Sequence, residues 1–255
     1  KPLADFGDGG DVVTGAVRVP GVVFNDTLVL AKYAKDVAGY DVVTGQLRWT
    51  FHTIPADGEA QRDTWTDPEE GANCWGGIAL DDQRGIVYIS TGSPKPNFSG
   101  NTHIGQNLYA NCVLALDATT GKHVWHFQEI RHDIWDLDVC APPNLVTITK
   151  DGQRIDVVTC MAKSGHLFVL DRLSGKPIFP VRLRRAPVSR LPGERTAAYQ
   201  PDPELPEPLS RMEFSPADIT DRTPEATAFV RQIVQRSSYG FFEPFTEGKP
   251  TLTDV

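Results

Sequence analysis

The sequence contains no long apolar run and no targeting signal. Across its 255 residues, no apolar stretch reaches the about 18 residues of a membrane span. The first residues, Lys1-Pro2-Leu3, have neither the basic start nor the apolar core of a signal peptide. Because the chain begins without Met and stops abruptly at Thr253-Asp254-Val255, we expect it to be part of a longer protein.

Basic clusters and closely spaced cysteines are also lacking. The net charge is −8, and no block of Lys and Arg is long enough for a nucleic-acid face, so we expect no nucleic-acid partner. No C-x-x-C pair occurs, which gives no support to a zinc site; the four cysteines are Cys74, Cys112, Cys140 and Cys160. They are either buried thiols or members of one or two disulfides, and the sequence does not choose among the three pairings.

What the sequence does contain is a series of short β-branched and apolar runs. Helix-like periodicity is scarce before about residue 220. Pairs of runs flank turn residues in the manner of β-hairpins, at 18–24 with 28–32, 37–42 with 47–52, 75–80 with 86–90, 111–116 with 123–128, 143–149 with 154–160, and 166–170 with 177–181. Two long connections, 54–74 and 92–107, interrupt the series, and such connections are often functional. These patterns predict an all-β fold.

The last third of the chain has a different character. Residues 187–208 contain six prolines, which lack the donor of a strand ladder, so we expect an irregular arm there. Thr223 is a good N-cap and Pro224 suits the first helical position. They predict a short helix that ends near Arg236.

A ten-residue pattern occurs three times, as YDVVTGQLRW at 40–49, LDATTGKHVW at 116–125 and LDRLSGKPIF at 170–179. We expect the Asp to accept hydrogen bonds from the backbone that follows it, the Gly to take a positive φ, and the aromatic residue to pack between sheets. Residues 11–15 repeat the letters DVVTG without the aromatic residue and are not counted as a copy. Three matching aromatic positions favour the blades of a β-propeller over unrelated hairpin turns.

The Asp residues of the repeat lie 76 and 54 positions apart, so the chain accommodates roughly four blades. We therefore expect a partial propeller, whose open strand edges a partner or the proline-rich arm must cover. We assign residues 1–186 to blades carrying the tryptophan-motif repeats. Residues 187–255 are assigned to the proline-rich arm and the helix, within the same domain.

Carboxylates are concentrated in the stretch RHDIWDLDVC, Arg131–Cys140. Asp136 and Asp138 lie two residues apart, and Asp133 lies three residues before Asp136, beside His132. In extended backbone, residues i and i+2 point to the same side, so Asp136 and Asp138 could share a face. Like charges this close need a compensating cation or hydrogen bond, which makes the stretch a candidate general base or metal site. The alternative is that these acids cap turns.

Several stretches together resemble the PQQ-dependent (quinoprotein) dehydrogenases, nearest to their membrane-bound glucose dehydrogenase branch. They are GANCWGG at 71–77, residues 115–125, HDIWDLD at 132–138 with Ala141-Pro142-Pro143, and AKSGHLFVLDR at 162–172. The resemblance covers most of residues 17–235, and its HDIWDLD and AKSGHLFVLDR stretches are specific. It implies an eight-bladed propeller with pyrroloquinoline quinone (PQQ) near its axis, of which this chain is about half.

The resemblance implies a role for each of four residues. Asp136 matches the catalytic base, which removes the proton of the substrate hydroxyl and lies beside a divalent metal ion, for which we expect Ca²⁺. Asp138 matches a position that adds a metal ligand in some members. Trp75 matches the tryptophan that stacks on the quinone ring. Lys163 matches the basic residue that hydrogen-bonds the quinone oxygens.

Two hypotheses of function follow. The first is a periplasmic dehydrogenase, or a fragment of one, that oxidises an alcohol or sugar hydroxyl with PQQ as the hydride acceptor. A quinone or a cytochrome would receive the electrons, and segments outside this chain would provide any membrane association. The second is a non-catalytic propeller segment that serves as a binding or assembly module. It is motivated by the short Tyr33–Asp36 connection, by the missing blades, and by Ser93 where alcohol-oxidising relatives carry an Asn metal ligand.

Overall fold

Antiparallel sheets form most of the molecule. The computed structural model describes residues 4–66, 70–212 and 214–252, so the expectations that concern residues 1–3 and 253–255 lie outside the described residues. The first sheet has the strand order β1-β2-β3-β4. Its strands are β1 (Val22–Phe24), β2 (Thr27–Ala31), β3 (Val37–Asp41) and β4 (Leu47–Phe51).

A second and a third sheet follow along the chain. The second has four strands in sequential order, β5 (Ile78–Asp81), β6 (Ile86–Ser90), β7 (Cys112–Asp117) and β8 (His123–Gln128). The third has three strands, β9 (Asn144–Lys150), β10 (Gln153–Met161) and β11 (Leu167–Asp171), in the order β11-β10-β9. A strand was predicted over 177–181, but Pro177 forms only an isolated bridge to Leu170. The N–H groups of Asp171 and Ile178 donate to the carbonyls of Lys176 and Val169, so the N–H of a residue at position 177 would point away from β11 and Pro177 loses no bond. The next position that should donate is 180, where proline has no N–H, and the pairing stops before it.

The three repeat turns have the predicted geometry. In the second copy, Asp117 Oδ1 accepts hydrogen bonds from the backbone N–H groups of Thr119 (3.1 Å) and Thr120 (2.7 Å). The N–H of Gly121 donates to the Asp117 carbonyl at 2.8 Å, and its φ is +69°. The other two copies repeat these bonds, so the Asp and Gly of the pattern each have a local structural role.

The tryptophan of one repeat packs on the turn glycine of the next. A Cβ atom added to Gly121 would lie 2.4 Å from Trp49 Cε3, and one added to Gly175 would lie 2.4 Å from Trp125 Cε3. Trp125 Nε1 also donates to the Arg172 carbonyl at 3.1 Å, which fixes the ring across the boundary between sheets. The repeat therefore joins each sheet to the following one.

The middle sheet is buried on both faces. Val87 and Leu116 belong to an apolar cluster shared with Val29 and Val37 of the first sheet. Tyr88 and Val113 belong to a second cluster, which includes Val158 and Leu170 of the third sheet. Neighbouring residues of one strand face opposite clusters because side chains alternate across a sheet. Face-to-face packing of successive antiparallel sheets is the arrangement of propeller blades.

An irregular arm was expected over residues 187–208, but part of this segment forms a strand. Strand β12 (Val181–Arg185) pairs with β13 (Tyr199–Pro203), and Pro201 and Pro203 lie opposite Leu183 and Val181. At the two ends of this pair, the N–H of Ala186 donates to the Ala198 carbonyl and the N–H of Glu204 donates to the Pro180 carbonyl. Hydrogen-bonded pairs alternate with non-hydrogen-bonded pairs in an antiparallel ladder, so the pairs that contain Pro201 and Pro203 are of the second kind. Both prolines thus occupy positions whose N–H would point away from β12, so the pairing loses no donor.

The C-terminal part contains the predicted helix and a further strand pair. Helix α1 (Pro224–Arg236) begins as expected, because Thr223 Oγ1 accepts a hydrogen bond from the Ala226 N–H at 3.1 Å. Strand β14 (Ser238–Tyr239) pairs in parallel with β15 (Thr251–Leu252). Single 3₁₀ turns lie at Arg62–Thr64 and Pro216–Asp218. In the described parts of the chain, every helix is too short or too polar to cross a bilayer.

The all-β fold and the partial propeller are confirmed. In the ranges that the structure describes, two four-stranded sheets, one three-stranded sheet and the β12–β13 pair stand where about four blades were expected. The division of the chain at residue 186 stays a prediction. All four cysteines are free thiols, so none of the three disulfide pairings is present; Cys74, Cys112 and Cys160 are buried and Cys140 is half-buried.

Candidate active site

The connection between β8 and β9 is organised by one buried carboxylate. We call residues 131–140 the acidic loop. Asp133 is fully buried, and its Oδ1 accepts a hydrogen bond from the N–H of Trp135 (2.9 Å) while its Oδ2 accepts one from the N–H of Leu137 (2.8 Å). The chain turns between these two bonds, and Asp136 takes a φ of +63°. The backbone is therefore not extended at Asp136, contrary to the argument that Asp136 and Asp138 share the face of a strand.

Two further side chains hold Asp133 from the second sheet. Asn111 Nδ2 donates to Asp133 Oδ2 at 2.9 Å, and Ser93 Oγ donates to the same oxygen. Burial raises the pKa of Asp133 to about 6, although these hydrogen bonds act in the opposite direction. The acidic loop is thereby attached to the ends of β6 and β7.

Asp136 and Asp138 converge on a single ammonium group. Lys163 Nζ lies 2.9 Å from Asp136 Oδ2 and 2.6 Å from Asp138 Oδ2. The Lys163 N–H also donates to the Asp138 carbonyl at 2.9 Å, which ties the turn after β10 to the acidic loop. Partial burial lowers the pKa of Lys163, but Asp138 and Asp136 more than offset this effect, so its pKa is raised. Lys163 is the cation that two neighbouring carboxylates require.

Trp75 lies beside the same group. Lys163 Nζ is 5.9 Å from the centre of the Trp75 ring. A Cβ atom added to Gly92 would lie 2.5 Å from Asp138 Oδ1, 2.4 Å from Asn73 Oδ1 and 3.1 Å from Trp75 Nε1. A side chain at position 92 would collide with these atoms, so the glycine allows the carboxylate, the amide oxygen and the indole edge to approach one point of the backbone. The structure thus brings together all four residues that the sequence singled out.

The sequence reasoning missed several contacts of these residues. Asn97 Nδ2 donates to Asp136 Oδ1, and the N–H of Ser93 donates to Asp138 Oδ1 at 2.7 Å. Both donors belong to the long connection over 92–107, whose length was the one available signal. Ser93 Oγ is directed to Asp133, so it does not reach the two carboxylates in the way a metal-binding Asn would.

A cavity of about 450 Å³ adjoins the pair formed by Asp136 and Lys163. Its wall includes residues of the acidic loop, of the turn between β10 and β11, and of the C-terminal segment over 240–252. Trp135 Nε1 donates to the Glu243 carbonyl at 3.2 Å and so attaches that segment to the acidic loop. The volume lies within the range of about 300–1,000 Å³ that is typical of small-molecule sites.

The residues present fit a planar quinone and a hard cation. An indole edge, a carboxylate oxygen of Asp138 and an amide oxygen of Asn73 converge at Gly92. Oxygen ligands of this kind suit Ca²⁺, and an indole offers a flat face to a planar ring. Within the described residues, no group of three or more His, Cys, Asp or Glu side chains converges in a manner that would hold a metal ion. A cation here would therefore rest on two carboxylates and on neutral oxygens.

The sheets and their packing define a β-propeller domain, and the acidic loop with Lys163 and Trp75 provides its candidate site. A family profile described as the glucose/ethanol/alcohol dehydrogenase PQQ β-propeller domain matches residues 9–253. The chain therefore belongs to the PQQ-dependent dehydrogenase family, which confirms the resemblance found in the sequence.

Individual relatives agree with this membership. Quinoprotein glucose dehydrogenase A of Acinetobacter calcoaceticus is 35% identical over 94% of this chain and 33% of its own length. Quinoprotein glucose dehydrogenase of Escherichia coli K12 is 35% identical over 73% of this chain and 25% of its own length. The solved quinohemoprotein alcohol dehydrogenase of Comamonas testosteroni superposes with a TM-score of 0.59 at 27% identity, covering 73% of this chain and 31% of that one. The chain thus spans a quarter to a third of the length of these relatives.

Proposed function

We propose that the chain forms part of a quinoprotein dehydrogenase that oxidises an alcohol or sugar hydroxyl with PQQ as the hydride acceptor. The observation that carries this proposal is the convergence of two carboxylates on Lys163, beside the face of Trp75. The relatives named as glucose and alcohol dehydrogenases support the reaction class. The substrate, the acceptor and the activity of the whole protein belong to this proposal.

In the proposed reaction, the carboxylate of Asp136 removes the proton of the substrate hydroxyl. PQQ, when bound, would supply the acceptor for the hydride from the carbon that bears this hydroxyl, so that loss of the O–H proton and the C–H hydride leaves a carbonyl compound. Asn97 and Lys163 orient the Asp136 carboxylate through its two oxygens. Lys163 would also face the oxygens of a quinone that lies against Trp75, where its positive charge favours negative charge on them. Asp136 and Asp138 would supply the charged ligands of Ca²⁺.

A quinone or a cytochrome would then take the electrons onward. We place the enzyme in the periplasm, with any membrane association supplied by segments outside this chain. The proposal on location rests on the family resemblance alone.

The test is reconstitution of the chain with PQQ and Ca²⁺, followed by dye reduction with glucose and with simple alcohols. We expect Asp136→Asn to lower kcat by about 10²–10⁴-fold, as loss of a general base does. Asp151→Asn is the matched control, because Asp151 is an exposed turn acid paired with Lys150. Activity that survives Asp136→Asn would remove Asp136 from its role as the base.

The alternative, a non-catalytic binding or assembly module, is favoured by one observation. Ser93 Oγ donates to the buried Asp133, which orients the hydroxyl toward that carboxylate and not toward the pair Asp136 and Asp138. A quinone titration without an absorbance change, together with isolation of a stoichiometric protein partner, would support the module instead.

A further inference from the structure

We propose that the cavity beside Asp136 and Lys163 accepts an alcohol whose carbon skeleton is apolar, aromatic or branched, in preference to a polyhydroxylated sugar. This inference rests on the proposed function, since it assigns the substrate class of the same site. It departs from the glucose specificity named for several relatives.

The apolar part of the cavity wall carries the argument. It is formed chiefly by large side chains from four separate segments: Phe98, Trp135, Met161, Phe241 and Phe242. Rings offer broad contact to another apolar group, and burial of such a group gains roughly 25 cal/mol per Å² of surface removed from water. A phenyl or branched alkyl group therefore finds partners over much of this wall.

The aromatic residues are held in place by other contacts. The rings of Phe241 and Phe242 are 4.1 Å apart between centres, and the Trp135 and Phe242 rings are 5.1 Å apart. The Arg184 guanidinium lies 4.8 Å from the centre of the Phe241 ring, and the His166 ring is 5.6 Å from it. A wall fixed in this way does not need to be ordered when a ligand binds, which favours binding.

The polar part of the wall suits one hydroxyl better than several. It contains Asp136 and Lys163, together with Ser164, Ser210, Arg211 and Glu243. Arg211 is engaged by Asp218, and Ser164 Oγ lies 3.3 Å from His166 Nδ1. A sugar brings many hydroxyl groups, and each of them loses free energy when it is buried without a hydrogen-bond partner. A simple alcohol has one hydroxyl group, which can donate a hydrogen bond to the Asp136 carboxylate.

The first experiment measures binding and requires neither PQQ nor turnover. Saturation-transfer NMR on the chain would compare benzyl alcohol, 3-methylbutan-1-ol and glucose. We expect the two apolar alcohols to bind at least about tenfold more tightly than glucose, because their carbon skeletons contact the rings. We also expect Phe241→Asn and Phe98→Asn to weaken benzyl alcohol binding about fivefold or more. Phe98 is half exposed, so its variant tests the wall even where Phe241→Asn fails to fold.

Phe229→Asn is the matched control, because Phe229 is 65% exposed on α1 and does not line the cavity. Tighter binding of glucose, or benzyl alcohol binding that is unaffected by both cavity variants, would overturn the inference. Displacement of benzyl alcohol by PQQ would also overturn it, since the cavity would then belong to the cofactor.

A second arm separates this inference from the proposed function. On the reconstituted chain, kcat/KM should be about tenfold or more higher for benzyl alcohol than for glucose, in line with the difference in binding. Turnover that prefers glucose contradicts the substrate class while leaving the dehydrogenase intact. Absence of turnover with every substrate, combined with selective alcohol binding, contradicts the proposed function and leaves the apolar cavity established.

Discussion

Asp133 determines the shape of the acidic loop although it is not among the proposed reacting groups. Its two oxygens accept hydrogen bonds from two backbone N–H groups and from the side chains of Ser93 and Asn111. The two backbone donors flank Asp136, whose positive φ directs its carboxylate to Lys163. Asp133 is therefore a positioning residue, which acts through the conformation of its neighbour.

This role predicts a specific cost for Asp133→Asn. An amide offers one acceptor oxygen where the carboxylate offers two, so its NH₂ group would face at least one of the donors. We expect the free energy of unfolding to fall by about 1–3 kcal/mol, the usual penalty for an unsatisfied buried polar group. Urea denaturation measures the change, with the exposed Asp151→Asn variant as the control. Equal stability of the two variants would show that Asp133 does not organise the loop.

His132 predicts a pH dependence of stability. It is 4% exposed, and burial, together with the neighbouring His103, lowers its pKa to about 4. The unfolded chain takes up this proton near pH 6.5, earlier than the folded chain does. The neutral His132 side chain therefore makes its full contribution to the free energy of unfolding above pH 6.5, and this contribution is lost as the pH falls from 6.5 towards 4. At about 1.4 kcal/mol per pKa unit, the loss amounts to about 3 kcal/mol.

His132→Gln should reduce this loss of stability on the acid side. The measurement is urea denaturation at intervals between pH 7 and pH 4, compared with the wild type. His52→Gln is the control, because His52 is partly exposed and pairs with Glu59. A His132→Gln variant whose stability falls with pH as steeply as that of the wild type would contradict the assignment.

At the scale of elements, the contact between repeat tryptophan and turn glycine joins neighbouring sheets. Gly175 has a φ of +68° and is covered by the Trp125 indole. Gly152 has a similar φ of +76° in the hairpin between β9 and β10, but a Cβ added there would meet nothing within 4 Å. Both glycines have a positive φ, but only Gly175 is covered by an indole ring.

Substitution of each glycine by alanine therefore distinguishes the cost of a positive φ, which both variants have, from the cost of a collision with the indole, which only Gly175→Ala has. Gly152→Ala should cost about 1–2 kcal/mol, the penalty of a left-handed conformation for a residue with a Cβ. Gly175→Ala should cost about 1–3 kcal/mol more, because the added methyl group must displace a packed ring. Thermal or urea unfolding of both variants measures the difference. If the two costs are equal, the indole does not restrict the turn.

The elements also show what sequence alone can predict. The Asp–Gly turns and the start of α1 depend on contacts within a few residues, and the pattern predicted them correctly. Strand β13 escaped prediction because its prolines are tolerated through the register with β12, a contact between distant segments. The same holds for Asn97 and Ser93, which reach Asp136 and Asp138 across some 40 positions of the chain. Only the family resemblance brought Trp75 and Lys163 into one site, since no spacing rule connects them.

At the scale of the whole molecule, the first sheet differs from the next two in what covers its turn glycine. Gly121 and Gly175 are covered by Trp49 and Trp125, whereas Gly45 is approached by the N-terminal segment. A Cβ added to Gly45 would lie 2.6 Å from Val12 Cγ2 and 3.2 Å from Phe6 Cε1. The N–H of Gly7 donates to the Thr44 carbonyl at 2.8 Å and attaches the segment to the turn.

The N-terminal segment thus covers the turn of the first sheet, as the tryptophans cover the turns of the two sheets that follow. Val12 also packs against the apolar cluster that contains Leu30 and Tyr40. We expect Val12→Ala and Phe6→Ala each to lower the free energy of unfolding by about 1–2 kcal/mol, through the apolar surface they cease to bury. Val13→Ala is the matched control, because Val13 is 96% exposed in the same segment. Urea unfolding of the three variants measures the effect, and equal midpoints would show that the first sheet is stable without its cover.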